Sequence, residues 1–266
     1  MDPRDYLNIL HMAERLKDTI RHCTTSKRRE ESVAEHSWRV SLMAFLLKDE
    51  FPDVNMDKVV DMCLIHDLGE CFTGDIPAFV KTDSDREVED SLLDEWVGSL
   101  PKEVSENMSS LYKEMDAQIT KEAKIYKALD KLEALIQHNE SPIDTWSENE
   151  YELNKTYAFD TVAFSKWLTD LRNEILNDTI QKIDNEKTDI SDLLNNLDRL
   201  HSTKMGIERI KKNLELNEDV VDFCRQKIMS KSALVKREGK NWYILSGDCM
   251  ITVNAKSYTI ITAHRK

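Results

Sequence analysis

The sequence predicts a mainly α fold followed by a small α+β domain with an antiparallel sheet. Three observations carry this expectation. Apolar residues recur at i, i+3 and i+4 through most of residues 1–183, which is the helix period. Only six glycines and five prolines interrupt the 266 residues. Beyond residue 240 the texture changes to short β-branched and aromatic runs separated by turn residues, the pattern of hairpin strands.

Taken in order, Tyr6, Ile9, Leu10, Ala13 and Leu16 mark a first helix. Val33, Val40, Ala44 and Leu47 mark a second, with Trp38, Leu42 and Phe45 broadening its face. Asp57 reads as the N-cap of a third, "KVVDMCLIHDLGE", with Gly69 near its end. A fourth lies around Glu87–Leu100 and stops at Pro101. "KEVSENMSSLYKEMDAQ", "KEAKIYKALDKLEALIQHNE" and a long pattern from Asp160 through Ile183 complete an all-α unit. The polar stretch "DNEKTDISD", Asp184–Asp192, reads as a linker, dividing the chain into domains of residues 1–184 and 193–266. After it, "MGIERIKKNLELNEDVVDFCRQKIM" gives two short helices. "NWYIL", "CMITVNA" and "SYTIITAHR", broken by "SGD" and "NAKS", give the strands.

Composition bounds the function. A net charge of −13 argues against nonspecific nucleic-acid binding by the whole surface. The charge is uneven: residues from Glu186 onward carry 15 Lys/Arg against 11 Asp/Glu, and the first 185 carry 22 against 39. Two units with different partners are expected. No apolar stretch is long enough for a membrane span, and the charged N-terminus has no secretory h-region. Five cysteines without a CxxC pair fit the reduced thiols of a cytoplasmic protein. Neither G-x-x-x-x-G-K-[ST] nor G-x-G-x-x-G occurs, which excludes the usual P-loop and Rossmann signatures.

The stretch "CLIHDLGECFTGDIPAF" follows an apolar run with an imidazole and three carboxylates: His66, Asp67, Glu70 and Asp75. Buried ionisable groups are costly unless paired or holding a metal. Thirty residues earlier "ESVAEHSW" places His36 at a helix start, and "YKALDKLEAL" places Asp130 among apolar neighbours. Two imidazoles and two carboxylates form a mixed N/O set suited to Mn²⁺, Fe²⁺, Co²⁺, Ni²⁺ or Zn²⁺. Adjacent helical residues diverge by about 100°, so His66 and Asp67 can share one ion only near a helix end or kink. Each piece alone has a plainer reading: a core histidine for His36, a cap or a partner of Lys127 or Lys131 for Asp130, a surface acid for Glu70, a turn residue for Asp75. Cys63 and Cys71 read as core. His11, His138 and His201 have no companions at ligand spacing, and Trp38 and Trp96 read as core or dimer contacts.

On the order H…HD…D, the chain resembles the HD-domain metal-dependent phosphohydrolases, and within them the YfbR-like 5′-deoxynucleotidase branch. The resemblance covers about residues 5–180 and rests on "EHS" at Glu35–Ser37, "IHDLGECFTGDIP" at Ile65–Pro77 and "KALDKLEAL" at Lys127–Leu135. It implies an HD-domain helical fold and a divalent ion, among them magnesium, held by His36, His66, Asp67 and Asp130. It also implies that Glu70 orients or activates the attacking water. Asp75 would act near the leaving oxygen or help hold a second ion, and Arg21 would contact the phosphate. The implied protein is a homodimer that hydrolyses deoxynucleoside 5′-monophosphates. Where the branch can have an aromatic residue after that arginine, this chain has His22.

The tail stands apart. From Arg225 onward it carries nine Lys/Arg against two Asp/Glu. It resembles a small uncharacterised family and, loosely, the barnase–colicin–RelE-like ribonucleases, a likeness that would put Lys240, Tyr258, Thr262 and His264 on RNA. The plainer expectation is a dimerisation or specificity module, with nucleic acid bound only through this domain if at all. Three rival readings follow: a phosphohydrolase acting on another nucleotide or a nucleic-acid end, a nucleotide- or RNA-binding regulator, and a toxin-type protein whose tail holds the activity.

Overall fold

A computed structural model of the chain describes residues 1–77, 80–230 and 232–265, with the side chains of residues 187–189 also outside the description. Two compact units divide at Thr179/Ile180. Each has its own apolar core.

The first unit opens with α1 (Pro3–Ala13), capped by Asp2, whose carboxylate accepts from the Arg4 and Asp5 amides. The next segment corrects the all-α expectation. β1 (Ile20–Thr24) and β2 (Glu30–Ser32) form an antiparallel pair, closed by a turn in which Arg28 adopts φ 65°. Neither strand is long enough to show a period, so the sequence gives no sign of it. α2 (Val33–Leu46) and α3 (Met56–Ile65) pack on each other and on α7 (Lys121–Glu140). Val40, Ala44, Val59, Met62, Leu129 and Leu132 close the centre of this core.

α3 is shorter than the pattern suggests. Asn55, not Asp57, caps it, accepting from the Lys58 amide, and it stops at Ile65 with His66 as its C-cap. The short α4 (Glu70–Thr73) then ends at Gly74, whose φ of 77° is open to glycine at little cost. That turn brings Asp75 back toward α3. α5 (Asp83–Gly98) and α6 (Lys102–Ala117) follow, and Trp96 packs against the core. Trp38 and Phe45 of α2 do not: they are 63% and 57% exposed, so the broadened face expected for α2 is turned outward.

α8 (Glu148–Thr156), α9 (Phe159–Val162) and α10 (Lys166–Asn195) complete the helices of this part of the chain. The stretch Asp184–Asp192, expected as a linker, is helical within α10. It is polar, but it contains no Pro or Gly to break the helix.

In the second unit α11 (Lys204–Leu214) and α12 (Val220–Ile228) cover a four-stranded antiparallel sheet. Its strands are β3 (Leu234–Glu238), β4 (Asn241–Ser246), β5 (Cys249–Asn254) and β6 (Ile260–Arg265), in that spatial order. β4 to β6 are the strands expected; β3, "LVKRE", is an additional one whose charged residues disguise it. Trp242, Ile244, Ile251 and Val253 enter the core with Ile210, Leu214 and Cys224. α11 runs along β6, where Ser202, Arg209 and Asn213 donate to the Ile260, Ile261 and Ala263 carbonyls. β3 pairs with β4 alone. Among the described residues no helix is long and apolar enough to cross a membrane.

Candidate active site

Three elements of the first unit, α2, the end of α3 and α7, bring the candidate ligands together. Ser32 and Glu35 form a reciprocal capping box, with Arg29 pairing to Glu35, so the start of α2 is fixed one residue before His36. His36 is 1% exposed. At the end of α3 the chain leaves the helical path, and His66 and Asp67 turn to the same side. Tyr112 donates to the Ile65 carbonyl at 2.7 Å and holds that helix end. Asp130 comes from α7, with Lys127 one turn earlier pairing to its other oxygen at 2.8 Å.

The atoms converge closely. His36 Nε2 lies 3.3 Å from His66 Nε2 and from Asp130 Oδ1, and 3.6 Å from Asp67 Oδ2. His66 Nε2 lies 3.1 Å from Asp67 Oδ2 and 3.7 Å from Asp130 Oδ1. His36, His66 and Asp67 form a cluster able to hold a metal ion, and Asp130 Oδ1 lies 3.3 and 3.7 Å from its two imidazoles.

His36 Nδ1 sits 2.5 Å from Glu133 Oε2, and His66 Nδ1 sits 2.8 Å from the Cys63 carbonyl. Each Nδ1 therefore donates, which leaves both Nε2 atoms facing each other and two carboxylates. A positive charge between them, a proton or a metal ion, relieves the repulsion of the carboxylates. The separations of 3.1–3.6 Å among His36, His66 and Asp67 fit an ion with bonds near 2.1 Å, for which tetrahedral or octahedral edges are about 3.0–3.4 Å. The field agrees. Burial lowers the His66 pKa, but Asp67 and Asp130 outweigh it and leave it raised to about 10. Burial likewise opposes ionisation of Asp67 and Asp130, and the imidazoles, with Lys127 beside Asp130, nevertheless hold both below the usual carboxylate range. The residues fit a divalent ion.

Glu70, the first residue of α4, is buried, and its Oε2 has no hydrogen-bond partner. Burial, and then Asp67, Asp75 and Glu89, push its pKa up to about 10. Asp75 accepts from the His22 backbone amide and is also raised, chiefly by burial. Arg21 of β1 is held between Glu31 at 2.8 Å and Glu133 at 3.4 Å. Arg21, His36, Asp67, Glu70, Asp75 and Asp130 line one cavity of about 530 Å³, within the usual range for a small-molecule site. Lys81, Lys127 and Lys131 add positive charge to its wall.

Two parts of this site are absent from the sequence-based expectations. Glu133 is 0% exposed and joins His36 to Arg21, with Arg39 Nε 3.7 Å from its other oxygen. Its signal was a glutamate three residues after Asp130 in an otherwise apolar turn. The second part is His138, which does have companions: His22 and Glu150.

The four tail residues do not converge. Tyr258 is buried, donates to Asp192 Oδ2 at 2.9 Å and lies under the Arg199 guanidinium. Lys240 sits in the β3–β4 turn, beside the Asn241↔Asn254 end of the ladder. Thr262 and His264 lie further along β6, opposite Thr252 and Met250.

Comparison with known proteins agrees with this geometry. Residues 13–172 match the HD domain family. The chain belongs to the HD-domain family. It is 32% identical over 141 residues to the 5′-deoxynucleotidase HDDC2 of Bos taurus, covering 52% of this chain and 68% of that protein. It is 33% identical over 114 residues to the Homo sapiens HDDC2, covering 42% of this chain and 55% of that protein. The chain thus spans 68% and 55% of the length of these two relatives. The crystal structure of a predicted metal-dependent phosphohydrolase from Magnetospirillum magnetotacticum MS-1 superposes with a TM-score of 0.59 at 27% identity. It covers 67% of this chain and 95% of its own. Residues 194–264 match a protein family of unknown function, DUF3781. The HD-domain likeness read from the sequence is borne out.

Proposed function

We propose that this HD-domain protein is a divalent-metal-dependent phosphohydrolase that releases phosphate from deoxynucleoside 5′-monophosphates. The observation that carries the reading is the convergence of His36, His66 and Asp67, with Asp130 beside them, at a cavity of about 530 Å³ whose wall also carries Arg21, Lys81, Lys127 and Lys131. His36, His66, Asp67 and Asp130 would hold the ion, drawn from Mn²⁺, Co²⁺, Fe²⁺, Ni²⁺, Zn²⁺ or Mg²⁺. Such an ion supplies a lowered pKa for water and polarisation of a phosphoryl oxygen.

The remaining steps belong to the chain's own residues. Arg21, fixed between Glu31 and Glu133, presents a rigid fork to the phosphate oxygens. Glu70 accepts the proton of the attacking water. Burial and Asp67 raise its pKa, and a cation that discharges Asp67 lowers it again, which frees the carboxylate to act as a base. Asp75, held by the His22 amide, hands a proton to the leaving 5′-oxygen. The names of the HDDC2 relatives support a deoxynucleotide substrate. We assign the activity to the first unit and an accessory role to the tail, whose Tyr258 is committed to Asp192. The same reading carries a cytoplasmic homodimer, for which the exposed Trp38, Leu42 and Phe45 of α2 offer a contact.

Phosphate release from a panel of deoxy- and ribonucleoside 5′-monophosphates, with Mn²⁺, Co²⁺ or Mg²⁺, tests this. Metal-dependent release should disappear in Asp67→Ala and fall roughly 10²–10⁴-fold in Glu70→Gln, with deoxynucleotides preferred. No release from any nucleotide with any metal overturns the reading.

A further inference from the structure

The cavity continues past the metal-ligand cluster along α7. Asp130, Ala134 and His138 recur every four residues, and all three line it. At 1.5 Å per residue, His138 stands about 12 Å along the helix from Asp130. That is the reach of a nucleoside from the phosphate it carries. Between the two, Ala134 leaves room that any longer side chain would fill.

The far end is polar and enclosed. Glu150 of α8 is 2% exposed, and its Oε1 lies 3.1 Å from His22 Nε2 and 3.5 Å from His138 Nε2. Its other oxygen accepts from the Ser147 amide at 2.5 Å, which ties this carboxylate to the start of α8. One turn later Asn154, 1% exposed, carries a side-chain nitrogen with no hydrogen-bond partner. His138 Nδ1 has none either. Native structures rarely leave buried polar atoms unpaired, and those that remain point to a missing partner. Burial lowers the pKa of His138. With its Nε2 proton directed to Glu150, the neutral ring keeps an unpaired lone pair at Nδ1. The residues at the cavity end therefore hold one unpaired donor, on Asn154, and one unpaired acceptor, on His138.

A nucleobase edge presents donors and acceptors side by side, and enzymes read it by matching them. We propose that His138, Glu150 and Asn154 form a subsite that reads the nucleobase of a nucleoside 5′-monophosphate, with Ala134 as the gap through which the sugar passes. This rests on the phosphohydrolase reading above. His22, where an aromatic residue was the alternative, becomes part of the base-reading end through Glu150.

The test uses the full chain. First, calorimetric titration with deoxyadenosine, deoxyguanosine, deoxycytidine and thymidine measures binding without any reaction. Second, kcat/KM is compared for the matching nucleotides and for 4-nitrophenyl phosphate, which has no nucleoside. In Asn154→Leu the nucleotide-to-aryl-phosphate ratio should fall roughly tenfold, the equivalent of one hydrogen bond, and the preference among bases should flatten. Ala134→Leu projects into the cavity rather than the core, so it should fold. It should lose nucleoside binding while inorganic phosphate still inhibits aryl-phosphate hydrolysis. A parallel loss on both substrates in Asn154→Leu, or nucleoside binding in Ala134→Leu equal to wild type, overturns the proposal. If no phosphate ester is hydrolysed, the enzymatic reading fails, whereas absence of nucleoside binding removes the subsite alone.

Discussion

Glu133 accepts a hydrogen bond from His36 Nδ1 and lies within reach of both Arg21 and Arg39. Outer carboxylates of this kind fix which nitrogen of a ligating histidine faces the metal, and their loss usually weakens binding by about 10–100-fold. Glu133→Gln retains the shape but not the charge. It should lower Mn²⁺ or Co²⁺ affinity by roughly that factor, measured by titrating the metal-free protein, with far-UV circular dichroism unchanged. Affinity equal to wild type would remove Glu133 from this role. The candidate ligands His36, His66, Asp67 and Asp130 stood out in the sequence because metal chemistry restricts residue types and their order in the chain is distinctive. Glu31, Glu133, Glu150 and Asn154 were not. Each is an ordinary acid or amide until α7, α8 and the β1–β2 pair bring it to the cavity, or to the Arg21 and His36 side chains that line it.

At the scale of elements, periodicity found the long helices and missed what lies between them. α3 ends at Ile65 because Tyr112 and the following turn take over the Ile65 carbonyl, a tertiary cause invisible in a linear pattern. The same stop lets His66 and Asp67 face one point, as the divergence of neighbouring helical side chains requires. The β1–β2 pair was missed because its strands are too short to show alternation, yet it carries Arg21 and Glu31. The start of α2 is the element on which the site depends most directly. Ser32→Ala removes half of its capping box and should cost about 1 kcal/mol in urea unfolding. A loss near zero would show that Arg29 and Glu35 hold the helix end without it.

For the whole molecule, two cores mean that a ligand can stabilise one unit without touching the other. A metal present at about 100 times its dissociation constant adds roughly 2.7 kcal/mol to the state that binds it. Hydrogen exchange followed by mass spectrometry should show protection gained with Mn²⁺ in α2, α3 and α7, and lost on chelation. Protection across β3 to β6 should not change. Equal gains in both units would contradict independent cores. The shift in charge and texture led to an expected boundary at Asp184–Asp192, whereas the compact units divide at Thr179/Ile180 and that stretch is helical: polarity marks a solvated surface, and it breaks a helix only when joined by Pro or Gly.

The sheet of the second unit is finished differently on its two sides. α11 lies along β6 and donates to its carbonyls, whereas β3 meets β4 alone. An unpaired strand edge is a template for whatever extended chain drifts past, and cells penalise such templates through aggregation. β3 carries Lys236, Arg237 and Glu238 in a strand of five residues, the short, charged form that discourages casual pairing. The composition that hid β3 from a sequence reader is thus the one that keeps crowded neighbours from extending the sheet.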